Sequence, residues 1–264
     1  MRTRSALAVS LLLVCVLLAG CSALLDDGNG DGASVGGTAD PTPDASTFDY
    51  ADGFGPDGVV DGSAAVESHM SGLIAAGSYM TTFDYTVDTA EGTRVDDVEQ
   101  RVDFDAVRGR QQVVSDRPNF NRTVEVYRTD DTLYSRSETE NDTSFQRREQ
   151  AFDAENLTAL GPIRPLLLNI SGYEASVGDR DGTAVVVYEK DSSEGVDSFY
   201  GIRDSVNITS FSGRFAVDAD GVVRSASYEL GYVVGGEERT LTVEYTVSAV
   251  GETSVSEPDW TDRA

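Results

Sequence analysis

A cysteine preceded by two small residues is the place where this chain most directly predicts chemistry. Positions 18–21 read Leu-Ala-Gly-Cys and close an apolar stretch, residues 6–18, that follows a basic start. A signal peptidase needs small side chains before the bond it cuts, and the thiol that follows then accepts a lipid. The pattern predicts cleavage after Gly20, lipidation of Cys21 and attachment of the mature chain to a membrane.

The apolar stretch also bears on localisation. Its roughly 13 residues are fewer than the ~20 that a membrane-spanning helix needs, so a lipid anchor is favoured over a retained helix. An ordinary signal peptide is the other alternative. We expect the chain to lie outside the cytoplasm, anchored by its lipid to the outer face of the cell membrane.

The charge of the chain indicates the environment in which it works and the classes of partner that it can bind. It carries 46 acidic residues against 20 lysines and arginines, a formal net charge of −26, and Lys190 is the only lysine. Such a surface stays soluble where high salt screens its self-repulsion, which favours a haloarchaeal source over a high-GC bacterium. No basic stripe is available to neutralise phosphates, so a nucleic-acid partner is not expected.

Residues that could support catalysis are scarce. Cys15 and Cys21 are the only cysteines, and both belong to the export signal, so no thiol is left for a disulfide or a metal. His69 is the only histidine, and it has neither a zinc-binding H-E-x-x-H context nor a G-x-S-x-G nucleophile elbow. We predict that the protein is not an enzyme and has no metal or cofactor, and that His69 is a partly exposed helix residue.

Acceptor sequences for N-glycosylation agree with export. Five Asn-X-Ser/Thr sequences occur along the chain, and their Ser and Thr residues are common enough that each is a weak signal. The predicted glycosylation positions are Asn121, Asn141, Asn156, Asn169 and Asn207.

Composition divides the chain into four parts. Residues 1–20 are the predicted lipoprotein signal peptide, and residues 21–58 are the lipidated cysteine with an acidic linker rich in Gly, Asp, Ser, Thr and Pro. This linker has too few apolar residues to offset its ordering entropy, so we predict that it is disordered. Residues 59–260 form the predicted folded domain, and residues 261–264 are a tail.

Hydrophobic periodicity within the domain predicts one helix followed mainly by antiparallel strands. Helical spacing begins after Asp61 or Ser63, either of which could cap the helix, and ends at Gly77. Alternation then predicts strands, and residues 152–170 interrupt them with two short helices or a helix and a loop. A further short helix is indicated around residues 196–203. The predicted strands are residues 79–87, 98–104, 111–117, 121–128, 133–139, 173–177, 183–188, 209–217, 222–232 and 241–249.

This organisation resembles haloarchaeal lipoproteins of unknown function whose domain is similar to the LolA and LppX/LprG group of lipoprotein and lipid carriers. The resemblance is carried by the order of elements, by the hairpin at residues 217–223 and by the terminal Pro258-Asp259-Trp260. It implies an α+β fold: a strongly curved antiparallel sheet, an unclosed half-barrel, with a few helices packed on its concave face. It also implies that a lipid, an acyl chain or another apolar ligand binds between sheet and helices.

Large residues on the inward strand faces and in the helical interruption would line such a cavity, or they would fill a solid core. The two alternatives lead to different functions. A cavity implies a non-catalytic, lipid-anchored carrier of apolar ligands, whereas a solid core implies a structural or interaction module of the cell envelope. The candidate lining residues are Phe83, Tyr85, Phe104, Leu160, Ile163, Leu167, Phe211, Phe215, Tyr228 and Tyr245.

Overall fold

The structure is a computed structural model, and it describes residues 47–196, 199 and 206–264. The predicted signal peptide, Gly20, Cys21 and the first part of the linker lie outside these residues. The elements in chain order are β1 (Phe54–Gly55), β2 (Gly58–Val59), α1 (Gly62–Ala75), β3 (Ser78–Thr89), β4 (Gly92–Asp103), β5 (Arg108–Arg117), β6 (Phe120–Arg128), β7 (Thr132–Thr139), β8 (Thr143–Glu149), a 3₁₀ helix (Glu155–Leu157), α2 (Arg164–Leu168), β9 (Glu174–Arg180), β10 (Thr183–Lys190), β11 (Asn207–Asp218), β12 (Val223–Val234), β13 (Glu237–Ser248) and a final 3₁₀ helix (Thr261–Arg263).

Eleven of these strands form one antiparallel sheet in the order β8-β7-β6-β5-β4-β3-β13-β12-β11-β10-β9. The order describes two meanders, β3–β8 and β9–β13, which join where β3 pairs with β13. The chain passes from β8 at one edge to β9 at the other through residues 150–173. The sheet is large, curved and unclosed, with few helices, and this α+β fold class is the one predicted.

The alternation of side chains explains why these segments pair as strands. In β13, Leu241, Val243, Tyr245 and Val247 are buried, while the residues between them are partly or fully exposed. The hairpin before β12 is also the predicted one, because the Asp218 Oδ1 accepts the backbone N–H groups of Asp220 and Val222.

Helix α1 has the termini that its sequence predicts. Asp61 is the N-cap, and its Oδ1 accepts the backbone N–H groups of Ser63 at 3.0 Å and Ala64 at 3.1 Å. The helix ends before Gly77, which adopts a φ of 78° that costs a glycine little.

Two parts of the chain differ from the sequence prediction, and a third predicted element lies mostly outside the described residues. β8 is an additional strand, and it carries charges where apolar residues would have revealed it. β1 begins at the buried Phe54, before the predicted domain start at Val59. The helix indicated around residues 196–203 falls mostly outside the described residues.

Two faces of the sheet can be distinguished by what packs on them. We call the face that carries α1 and residues 152–170 the inner face, and residues 152–170 the cover segment. Three inner-face side chains donate to its carbonyls: the Tyr79 hydroxyl and the Gln100 amide donate to Leu157, and the Tyr228 hydroxyl donates to Pro162. The cover segment therefore packs on the same face of the sheet as α1.

The outer face carries a row of three carboxylates on neighbouring strands. Asp84 lies directly opposite Glu244 on one side and opposite Asp97 on the other. Partial burial, and then the charge and hydrogen bond of Asp97, raise the pKa of Asp84 above its usual value. Like charges placed opposite each other destabilise a sheet unless salt screens them.

We therefore expect Asp97→Asn to raise the free energy of unfolding by about 0.5 kcal/mol and to lower the salt concentration needed for folding. A KCl titration followed by far-UV circular dichroism measures both effects. Asp57→Asn makes the same charge change in the exposed turn between β1 and β2 and should shift the titration less. Equal shifts for the two variants would show that net charge matters and the carboxylate row does not.

Candidate functional site

His69 joins the helix, the cover segment and the sheet at one buried point. Its Nδ1 accepts the Val223 backbone N–H at 3.1 Å, and its Nε2 lies 3.0 Å from the Thr158 carbonyl oxygen. Because a carbonyl can only accept, Nε2 carries the proton and the imidazole is neutral. Desolvation by burial lowers the pKa of His69 from 6.5 to about 4, and the bond to Thr158 opposes this only partly.

This geometry corrects the prediction that His69 is a partly exposed helix residue. The side chain is fully buried, and both ring nitrogens are engaged with the backbone. The wrong prediction has a physical reason: the partners Thr158 and Val223 lie far away in sequence, and helical periodicity carries no information about them. His69 thus stabilises the cover segment on the sheet.

Six of the ten predicted lining residues are buried in the main hydrophobic core, four of them on the strands and two in the cover segment itself. The ring of Phe215 lies 5.0 Å from that of Tyr188, and Tyr228 lies 5.2 Å from Phe199, measured between centroids. In this half of the sheet, under β9–β13, close packing fills the space between sheet and helices. The six buried residues are Ile163, Leu167, Phe211, Phe215, Tyr228 and Tyr245.

The other four predicted residues are partly exposed and lie at the border of this packed half. Phe83 and Tyr85 are on the inner face of β3, and Leu160 is in the cover segment. The ring of Phe104 contacts that of Tyr79 at a centroid distance of 6.0 Å. The structure does not bring all ten residues around one common space, and ligand binding by them stays a prediction.

Beyond β3 the inner face continues as an apolar surface. The strand register places Phe83, Val98, Val113 and Val124 side by side in one row across β3–β6. Val126 follows on the same face of β6. Val113, Val124 and Val126 are partly exposed, whereas Val98 is buried, and none of the four valines belongs to a described core cluster. We call these four valines the open strip.

One end of the open strip is bordered by charged side chains. The Arg94 Nε donates to the Asp96 Oδ2 at 2.8 Å, and the Arg117 guanidinium lies 3.8 Å from the other oxygen of the same carboxylate. Ser115 also donates to Asp96. The open strip is therefore an apolar surface with a polar border, which sequence reasoning missed although the alternation of valines with polar residues in β5 and β6 signals it.

The outer face carries a second cluster that sequence reasoning missed. The Trp260 Nε1 donates to the buried Glu125 Oε2 at 2.7 Å, and the Arg110 Nε donates to Oε1 of the same carboxylate at 2.7 Å. Residues after β13 thus pack on the outer face of β6–β8. The sole tryptophan of the chain was the available signal. We call this group the C-terminal cluster: Tyr127, Tyr134, Phe145, Val255 and Trp260.

The outer face of β9–β13 holds a cleft of about 650 Å³ with a different character. Five carboxylates and two cations line it: Glu174, Glu189, Asp191, Glu229, Glu244, Lys190 and Arg214. Carboxylates of this density disfavour an acyl chain, because the chain would desolvate them. Within the described residues, no three histidine, aspartate or glutamate side chains are arranged to hold a metal ion. No helix in that part of the chain is long and apolar enough to span a membrane.

The predicted glycosylation positions fall at different depths. Asn121, Asn141, Asn156 and Asn207 are exposed, and Asn169 is partly buried at the end of α2. The Asn156 side chain donates to the Asp153 Oδ2 at 2.6 Å. Modification of all five stays a prediction.

Solved structures similar to this chain include lipoproteins. The lipoprotein LppX of Mycobacterium tuberculosis is 13% identical, with a TM-score of 0.36 and coverage of 74% of this chain and 97% of that chain. An outer membrane lipoprotein-sorting protein domain of Vibrio parahaemolyticus is 10% identical, with a TM-score of 0.28 and coverage of 77% and 98%. A DUF1329 family protein of Desulfovibrio piger is 9% identical, with a TM-score of 0.27 and coverage of 75% and 95%.

All three TM-scores are below 0.5, so these similarities assign no ligand to the chain. No curated protein matches it by sequence. The profile of one protein family, described as a family of unknown function (DUF7537), matches residues 5–264.

Proposed function

The chain belongs to this family, DUF7537, and we propose that it is a non-catalytic binding protein of the cell envelope that holds an apolar chain on the open strip. The observation that supports the proposal is the division of the inner face. One half is covered and closely packed, and the other continues the apolar surface at Val113, Val124 and Val126 with partial exposure.

The physical basis of such binding is the removal of apolar surface from water. Each methylene group that is buried contributes about 0.8 kcal/mol, so an alkyl chain laid along the strip offsets the cost of association only if it is long. The strip begins at Val98 on β4, opposite Phe83 of β3, and reaches β6. An acyl or other long hydrocarbon chain fits this extended, shallow surface better than a compact ligand does.

The proposal includes the location of the protein. Lipidation of Cys21, with the residues between it and β1 as an acidic tether, would hold the domain at the outer face of the cell membrane. The tether would have a root-mean-square reach of roughly 30–35 Å. A domain on such a tether can reach lipids and lipid-carrying partners at that surface.

A polyene fatty acid whose fluorescence rises in an apolar environment tests the binding. We expect saturable binding to the wild-type protein in high salt, and a loss of affinity of about tenfold or more in Val113→Asp, because the new carboxylate would be desolvated by the chain. Val114→Asp is the matched control, since Val114 is the next residue of β5, faces the outer side and is 39% exposed. It should bind as the wild type does.

Retention of the fold in both variants can be followed by the fluorescence of the buried Trp260. Val113→Thr keeps the shape of the side chain and adds no charge. If it binds the fatty acid as the wild type does while Val113→Asp does not, the loss of affinity is caused by the charge placed on the open strip. If neither the acid nor an uncharged analogue of it binds to the wild type, the proposal is wrong. The alternative is then a structural or interaction module that docks on envelope proteins.

A further inference from the structure

The inner face of β4–β8 has a positive net charge although the chain as a whole carries a formal net charge of −26. Pairing across these five strands assigns every residue to one face. The inner face carries five arginines and a single aspartate, Asp96, whereas the acidic residues of the same strands otherwise point outward. The five arginines are Arg94, Arg117, Arg122, Arg128 and Arg148.

Three of these arginines have no carboxylate partner in the described structure, and of these Arg122 donates to the Ser137 hydroxyl at 2.9 Å, which leaves Arg128 and Arg148. Arg94 and Arg117 share Asp96. Arg128 and Arg148 lie in one inner-face row on β6 and β8, with the buried Leu133 of β7 between them. The pKa of Arg128 is lowered by burial first and by the positive charge of Arg148 second. A partly buried cation beside a like charge is destabilising unless an anion joins it.

A cleft of about 600 Å³ adjoins Arg128. Its walls include Phe152 and Leu157 of the cover segment together with two carboxylates. Asp153 already accepts the side-chain N–H of Asn156, and Glu155 is exposed to solvent. On β6 the inner face then reads Arg122, Val124, Val126 and Arg128 in alternate positions. The open strip therefore begins two residues from Arg128, within reach of a ligand whose polar group lies in the cleft.

We propose that Arg128 and Arg148 bind the anionic head of an amphiphile, a carboxylate or a phosphate monoester, whose alkyl chain lies on the open strip. This proposal rests on the proposed function and specifies its ligand class. A guanidinium group can donate two parallel, charge-assisted hydrogen bonds to two oxygens of either anion. Such contacts persist in high salt, because at about 1 M ionic strength the Debye length is about 3 Å and direct contacts are the ones that remain.

The test compares the same polyene fatty acid with its methyl ester, which has the same chain and no charge. We expect the wild-type protein to bind the acid about tenfold more tightly than the ester. The double variant Arg128→Gln/Arg148→Gln should bind the acid no more tightly than the ester, with its ester affinity unchanged. Arg147→Gln is the control for the charge change, because Arg147 is the preceding residue on β8 and its guanidinium lies over the Tyr134 ring of the outer face.

The outcomes separate this proposal from the one on which it rests. If the wild type binds acid and ester equally, the proposed head-group site is wrong, and the proposal that the open strip binds an apolar chain is retained. If neither compound binds, the binding surface is wrong as well. If Arg147→Gln loses as much preference for the acid as the double variant does, net charge explains the effect and the site is wrong. The site is also wrong as an amphiphile site if inorganic phosphate alone binds as tightly as the long-chain acid.

Discussion

Replacement of His69 by alanine is expected to lower the free energy of unfolding by about 4 kcal/mol at neutral pH. The change leaves a space in the core, and it removes the bonding partners of the Val223 N–H and the Thr158 carbonyl. Both backbone groups then stay buried without a partner. Urea unfolding in high salt, followed by far-UV circular dichroism, measures the loss. Glu67→Ala on the exposed side of the same helix is the control and should change stability by less than about 0.5 kcal/mol.

The pH dependence of this effect has a definite sign. The folded-state pKa of about 4 lies below the 6.5 expected of the unfolded chain, so between these values the unfolded state binds more protons. The stabilisation is complete well above pH 6.5 and is lost as the pH falls towards 4, by about 2.5 kcal/mol at about pH 4.5. The difference between wild type and His69→Ala should therefore shrink on acidification. A difference that stays constant over this range would contradict the neutral, buried imidazole.

Trp260→Ala is expected to lower the free energy of unfolding by about 3 kcal/mol. The indole is almost completely buried in the C-terminal cluster, and its N–H supplies one of the two hydrogen bonds of the buried Glu125 carboxylate. Its removal leaves both a space and a carboxylate oxygen without its donor. Circular dichroism is the suitable measurement, because the variant has no other tryptophan.

Two further variants divide this loss into its parts. Trp260→Phe keeps most of the packing and removes the N–H donor, so its smaller loss, about 1 kcal/mol, measures the hydrogen bond to Glu125. Asp259→Ala changes the exposed neighbouring residue and should leave the stability within about 0.5 kcal/mol of the wild type. A Trp260→Ala protein as stable as Asp259→Ala would show that the cluster contributes nothing to the fold.

Strands with one buried face could be predicted from the sequence because their alternation is a local property. β13 shows this best, since each buried residue is followed by a less buried one along the strand. β8 could not be predicted in this way, because neither of its faces is apolar and its pairing with β7 stabilises it instead. The burial of His69 depends on residues distant in sequence, and the hydrophobic periodicity of α1 carries no information about them.

The candidate site was predictable only in part for a similar reason. Sequence alternation assigned the large aromatic residues to the inner face, and their burial is the outcome for Phe211, Phe215 and Tyr245. It could not show that the cover segment leaves Val113, Val124 and Val126 partly exposed, because the extent of a covering segment is set by tertiary contacts. The arginines of β6 were visible in the sequence, but only strand register places Arg128 and Arg148 in one row.

The junction between the two meanders has a consequence for the kinetics of folding. Every other strand pair in the sheet joins neighbours along the described chain, whereas β3 pairs with β13, and the Thr81 hydroxyl donates to the Thr246 carbonyl 165 positions away. Closing a loop of that length costs entropy before any contact compensates for it, and proteins dominated by such contacts fold slowly. The hairpins of each meander should therefore form early, and the β3–β13 seam should limit the rate at which the sheet is completed.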